Sequence, residues 1–464
     1  SRIENDFLGS LEIPDDVYYG VQTMRGKQNF HITEMPMSQE PFFAIAFAYV
    51  KKAAALTNKE LGTIPADVAD ALVWACDQLI AGKYNDQFVT DWLQGGAGTS
   101  TNMNCNEVIC NLACEHLGLA KGDKKVSPND HANFGQSTND TYPTALHLSL
   151  ILRSNVLVKA VEDLVASFYK QAEKTKDVLK MGRTHLQDAV PMSFAQEFHG
   201  WGTTIGDEIK TIREAQEHLK VVNLGATAIG TTVTCHPEYP AKAVKRLAEL
   251  TGIPFVNSDD LIAATSDCGV YVALSSACKS LAVKLTKVCN DLRLLASGPR
   301  TGLGEIVLPQ LQPGSSIMPG KVNPVIPEVT NQAAFLAIGL DTSVMLAASA
   351  GQLELNVMEP VISFALYMQM KVLTNSCNAL REKCIDGIVV NAKHCEDLVM
   401  GSLGIITVLK PHFGYKPCAN IAREGFLTGK SLHELIVDEK KMLTQEQWDK
   451  VFTHDNLINP KFEQ

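Results

Sequence analysis

Several stretches of the chain keep an apolar residue at every third or fourth position for long enough to demand helices of unusual length. Leu157, Val161, Leu164 and Phe168 step by four, three and four, as do Phe194, Phe198, Trp201 and Ile205. Leu274, Ala277, Leu281, Leu285, Val288, Leu292 and Leu295 keep the same alternation, and Leu366, Met370, Leu373, Cys377 and Leu380 repeat it. The pattern predicts helices over 143–179, 192–221, 261–297, 325–349 and 357–383. At a rise of about 1.5 Å per residue such helices run roughly 40–55 Å. One small globule does not cover stripes of that length, so the chain is expected to form an elongated bundle with neighbouring subunits.

The flanks have a different texture. Residues 1–140 begin irregularly, with Ile13-Pro14-Asp15-Asp16-Val17-Tyr18-Tyr19-Gly20, and then predict ordinary helices near 40–60, 65–81 and 102–118. Beyond 393, Gly401, Gly404, Pro411, Gly414, Pro417, Gly425 and Gly429 restrict helices to short pieces. This gives an all-α fold in three domains: 1–140, a central long-helix bundle over 141–393, and a small helical domain over 394–464. No repeat of solenoid period is present.

Charge and cysteine content limit the partners. The formal net charge is -10, which argues against nucleic acid and anionic membranes. A dianionic substrate would need local donors to overcome it. The apolar run Phe42 to Val50 is shorter than the roughly 20 residues needed to span a bilayer, and Ser1-Arg2-Ile3-Glu4-Asn5-Asp6 does not read as a secretory signal. The 12 cysteines include no C-x-x-C pair. Cys105, Cys110 and Cys114 share a predicted helix, where core thiols are the reading preferred over a metal site. Reduced thiols and a cytoplasmic location follow.

The densest chemistry lies in Gly314-Ser315-Ser316-Ile317-Met318-Pro319-Gly320-Lys321-Val322-Asn323-Pro324. Two hydroxyls, an ammonium and a carboxamide sit between backbone punctuators, so they can converge on a small anion. It is not a nucleotide loop: five residues rather than four separate Gly314 from Gly320, and Val322 follows the lysine. Gly95-Gly96-Ala97-Gly98-Thr99-Ser100 runs into a predicted helix, either as an anion site at the helix N-terminus or as an N-cap. Its third dinucleotide-binding glycine is replaced by Thr101, and no metal-ligand set emerges from the His, Cys and acidic residues. Chemistry without a cofactor is expected, with activation by a divalent cation left open.

The signature loop resembles that of the aspartase/fumarase superfamily, lyases that eliminate ammonia or water to release fumarate. The resemblance continues through Gly95–Asn104, Gln136-Ser137-Thr138-Asn139-Asp140, Gly182-Arg183-Thr184-His185-Leu186-Gln187-Asp188 and Gly351–Pro360, and so spans essentially the whole chain. It implies a homotetramer in which five-helix bundles associate into a 20-helix core, with active sites shared between subunits. It also implies that Ser315 is the base, acting as an alkoxide, and that Lys321, Asn323 and Thr184 hold the α-carboxylate. Ser137 and Thr138, with the Ser316 backbone and the Thr99 hydroxyl, would hold the carboxylate that takes up charge. Asn139, His185 and Thr99 would face the amino group, with Glu328 orienting His185. His116, His147, His199 and His218 are left as structural or surface residues.

Within the superfamily, Ser137-Thr138, Leu186, Val190, Gln352-Leu353, Met358-Glu359 and Ser127 favour elimination of ammonia from L-aspartate over hydration of fumarate. His185 does not discriminate, and Gly230-Thr231-Thr232-Val233 departs from the family's Gly-Thr-Gly. A catalytically silent structural protein on the same fold is the competing reading from another class.

Overall fold

The computed structural model describes residues 1–459. In chain order the larger elements are a hairpin of β1 (Arg2–Asp6) and β2 (Gly9–Ile13), then helices α1 (Val21–Asn29), α2 (Pro41–Glu60), α3 (Ala66–Ile80), α4 (Thr99–His116) and α5 (Thr138–Lys174). A second hairpin, β3 (Leu179–Thr184) and β4 (Gln187–Ser193), precedes α6 (Phe194–Leu219), α7 (Tyr239–Thr251), α8 (Leu261–Ser266), α9 (Gly269–Leu295), α10 (Val325–Ser349) and α11 (Glu359–Lys383). Helix α12 (Ala392–Gly401), a 14-residue helix over Tyr415–Thr428 and shorter helical pieces complete the described chain. The fold is mainly α, as the periodicity implies, and the predicted apolar positions of α5, α6, α9 and α11 are all buried.

Local chemistry moves several boundaries. Helix α5 begins at Thr138 and runs through Pro143, although a proline inside a helix leaves the carbonyl four residues earlier unbonded. That carbonyl belongs to Asn139, and the side chain of Asn223 donates to it over 3.1 Å. The helix predicted over 261–297 is broken: Asp260 caps α8 through the N–H groups of Ile262 and Ala263, and Asp267 caps α9 through the N–H of Gly269. An antiparallel hairpin over 179–193 separates the helices predicted to end at 179 and to begin at 192, so α5 ends at Lys174 and α6 starts at Phe194.

The chain divides into two compact units, each assembled from three separate segments. The first comprises Ser1–Lys159, Glu208–Ala282 and Ala334–Thr374. Here α2 packs against α3 and α7, and α3 against α4. Phe43, Phe47, Trp92 and Tyr142 form an aromatic cluster at its core. The second comprises Ala160–Asp207, Val283–Ala333 and Asn375–Gln464. In it Leu179 and Met181 of β3 pack with Val399, Ile405, Leu409, Leu435 and Ile436, so the C-terminal turns hold the second hairpin. Ser402 Oγ donates to Asp188 Oδ2 at 2.6 Å, on the same hairpin.

Two helices, α5 and α10, are long and apolar enough to cross a membrane by length and composition. Neither contains the short apolar run Phe42 to Val50, which lies in α2. The apolar window of α5 is 72% buried within the chain, whereas that of α10 is only 22% buried. Phe335, Leu336, Met345 and Leu346 of α10 are exposed.

Candidate active site

In the first unit, the glycine-rich turn before α4 is forced by packing. A Cβ on Gly98, whose φ is +95°, would lie 2.3 Å from the Tyr142 ring, so only glycine allows this approach. Tyr142 is anchored by a 2.9 Å hydrogen bond between its hydroxyl and Ser363 Oγ. The turn presents Thr99 at the start of α4, where its hydroxyl donates to Gly96 O at 2.8 Å and remains exposed as an acceptor.

Ser137, Thr138 and Asn139 meet at the N-terminus of α5. Ser137 Oγ accepts from Asn139 N at 3.2 Å while Ser137 N donates to Asp140 Oδ1 at 2.9 Å, a reciprocal cap that fixes the segment. The other oxygen, Asp140 Oδ2, accepts from Gly225 N at 2.8 Å and Thr227 N at 3.3 Å. Burial pushes the Asp140 carboxyl up to about 6, against the pull of those N–H donors. Asn139 Nδ2 donates to Ala228 O at 2.7 Å. The loop after Ala228 carries the departure from Gly-Thr-Gly: Thr232 takes φ +63° and Thr234 φ +82°, strained values for β-branched residues.

The second unit holds the remaining candidates. Thr184 pairs with Gln187 at the end of the second hairpin, and the two residues between them, His185 and Leu186, have φ of +54° and +59°. Such a two-residue turn ordinarily takes Asn-Gly. Here a histidine and a leucine that is 70% exposed occupy the strained positions instead. No hydrogen bond or ion pair joins His185 to Glu328 within the chain, among the described residues.

The 314–323 loop is closed at its base by two hydrogen bonds. Gly314 N donates to Lys321 O at 2.7 Å, and Asn323 Nδ2 donates to Gly314 O at 2.8 Å. Within it, Ser315 Oγ accepts from Ile317 N at 3.1 Å and Met318 N at 2.9 Å. Hydrogen bonds to the charged form of a group favour that form, so these two donors lower the free energy of a serine oxyanion. Ser316 and Lys321 are exposed, and Lys321 makes no ion pair within the chain among the described residues.

Three of the four histidines set aside from the sequence have structural partners, and His218 is exposed on α6. His116 stacks on Trp74, His199 stacks on Tyr169, and buried His147 is pushed down to about 4 by desolvation while its Nδ1 meets Leu219 O. Cys105, Cys110 and Cys114 are buried along α4. Sequence reasoning missed Lys51 and Asn133 and gave no role to Asn102 and Asp140, although both stand in its motifs; all four lie behind Ser137–Asn139. A lysine ending the apolar run of α2, and amides repeated within the motifs, were the available signals.

The chain is similar along its length to known proteins. Residues 9–339 match the family described as Lyase, and residues 405–459 match Fumarase C C-terminus. An aspartate ammonia-lyase of Helicobacter pylori is 51% identical over 460 residues, covering 99% of this chain and 98% of its own. Its counterpart in Escherichia coli is 51% identical over 463 residues, covering 99% and 97%. The solved fumarate lyase:delta crystallin from Brucella melitensis bound to cobalt superposes with a TM-score of 0.95 at 43% identity, covering 98% of both chains. A family model over most of the chain and relatives about half identical along its length show that this chain belongs to the lyase family.

Proposed function

We propose that the chain is an aspartate ammonia-lyase, which reversibly converts L-aspartate to fumarate and ammonia. The observation that carries the chemistry is the pair of backbone N–H groups on Ser315 Oγ. Abstraction of a weakly acidic proton needs a base stronger than a neutral hydroxyl, and a preorganised oxyanion supplies one.

In this reading Ser315 takes the proton from Cβ, and the electron pair moves into the adjoining carboxylate to give an enediolate. Ser137, Thr138 and the Ser316 backbone hold that carboxylate as its charge grows, joined by the Thr99 hydroxyl once it turns from Gly96 O. Donors fixed before the reaction contribute most where charge develops. Lys321, Asn323 and Thr184 hold the α-carboxylate. The Thr99 oxygen, Asn139 and His185 face the amino group, which leaves from Cα as the intermediate collapses to fumarate.

The working unit is a homotetramer whose active sites draw on more than one copy of the chain. The exposed apolar face of α10 supports it, since a helix of that composition needs a cover. The enzyme works in the cytoplasm, where twelve free cysteines stay reduced.

The test is to incubate the purified protein separately with L-aspartate and L-malate and follow fumarate by its ultraviolet absorbance. Fumarate from aspartate, with equimolar ammonia and much faster than from malate, is the expected result. Faster turnover of malate would make the protein a fumarase. A folded oligomer inactive on both would be a silent scaffold.

A further inference from the structure

Behind the Ser137–Asn139 segment lies a buried amide network with a lysine at its centre. Lys51 is 1% exposed. It makes no ion pair among the described residues; its Nζ donates to two neutral oxygens, Gln136 Oε1 at 2.9 Å and Asn133 Oδ1 at 3.2 Å. The same Asn133 oxygen also accepts from Asn102 Nδ2 and Asn106 Nδ2, both at 3.1 Å. Asn102 then spans to the binding segment: its Nδ2 reaches Thr138 Oγ1 at 3.3 Å, and its Oδ1 accepts from Thr141 Oγ1 at 3.0 Å. Gln136, the other partner of Lys51, immediately precedes Ser137.

Burying an ammonium among amides opposes folding unless something else benefits from the charge. An apolar side chain would fill the space with no desolvation penalty. The beneficiary on the page is the N-terminus of α5. We propose that Lys51 is a positioning residue: through Gln136, Asn133 and Asn102 it fixes the Ser137–Thr138 segment, and its charge favours a carboxylate bound there. This rests on the aspartate ammonia-lyase reading.

Titration gives the proposal a signature. Desolvation pushes the Lys51 ammonium down to about 8. The titratable groups facing it are Asp140 on α5, Cys105 and Cys110 on α4 and Cys76 on α3. Burial pushes the Asp140 carboxyl up to about 6 and raises all three thiols. Above about 8 the free enzyme therefore loses the charge, and a dianion must bind with proton uptake or bind more weakly.

The experiment measures the affinity of succinate, a dicarboxylate without an amino group to titrate, from about pH 7 to pH 9.5. The wild type should weaken about five- to tenfold across this range. Lys51→Met, which keeps the stem and removes the charge, should be weakened by a similar factor at neutral pH and lack that alkaline decline. Glu107 and Glu359 are also pushed up to about 8, but both remain in the variant. A decline that persists in Lys51→Met is theirs and overturns the proposal, as does wild-type affinity in the variant at neutral pH. Asn133→Asp provides a second variant: it keeps the shared acceptor oxygen and gives Lys51 an anionic partner, so the decline should move to higher pH by about one unit or more. A decline left in place there overturns the proposal even if Lys51→Met fails to fold. Fumarate formation by the wild type, assayed first, tests the underlying function separately.

Discussion

The backbone N–H of Met318 lies 2.9 Å from Ser315 Oγ, with that of Ile317 at 3.1 Å. The loop therefore offers an anion hole to its own serine before substrate arrives. The two hydrogen bonds at the base of the loop hold those donors in place. Such preorganisation lowers the cost of charge without reorganisation during the reaction.

Asn223 is the support for Asn139 that Pro143 makes necessary. Its Nδ2 donates to Asn139 O at 3.1 Å and to Thr265 Oγ1 at 3.0 Å. Asn223→Leu leaves both without that donor in a buried setting, and stability should fall by about 2–3 kcal/mol. The shift in urea midpoint at fixed protein concentration measures it.

The apolar face of α10 predicts an assembly defect. Phe335 is 58% and Leu346 60% exposed in the single chain. The native mass by light scattering should be about four times 50.5 kDa. A Phe335→Asp, Leu346→Asp double variant should run at a lower mass and lose activity with it. A fully active monomer would contradict the shared-site reading.

Lys321 has no ion-pair partner within the chain, among the described residues, so its charge is available to a ligand. Lys321→Ala should weaken succinate binding about ten- to a hundredfold, the loss of one charge-assisted contact. Unchanged affinity would remove Lys321 from the binding set.

Much of this molecule is legible from spacing, and the exceptions have local causes. The helix predicted over 325–349 is α10 as observed, because Pro324 and Gly351 punctuate an unbroken pattern. Helix α5 starts earlier than predicted because Pro143 reads as a first-turn residue, while Asn223 lets the helix continue upstream of it. The break between α8 and α9 lies in Asp267, whose cap is invisible to apolar periodicity. The second hairpin escaped because its strands are short, and β4 contains Pro191. At the site, the motifs include Asn102 and Asp140 but not Lys51 and Asn133, and the hydrogen bonds of all four join distant segments. No spacing rule encodes those contacts.

The central claim is that Ser315 removes the proton, and the most direct measurement compares kcat with succinate affinity in Ser315→Ala. The base acts in the transition state, so the variant should lose about a hundred- to ten-thousandfold in kcat while binding succinate within about threefold of wild type. Near-normal turnover in that variant would contradict the account and move the base to another residue, with His185 the next to test.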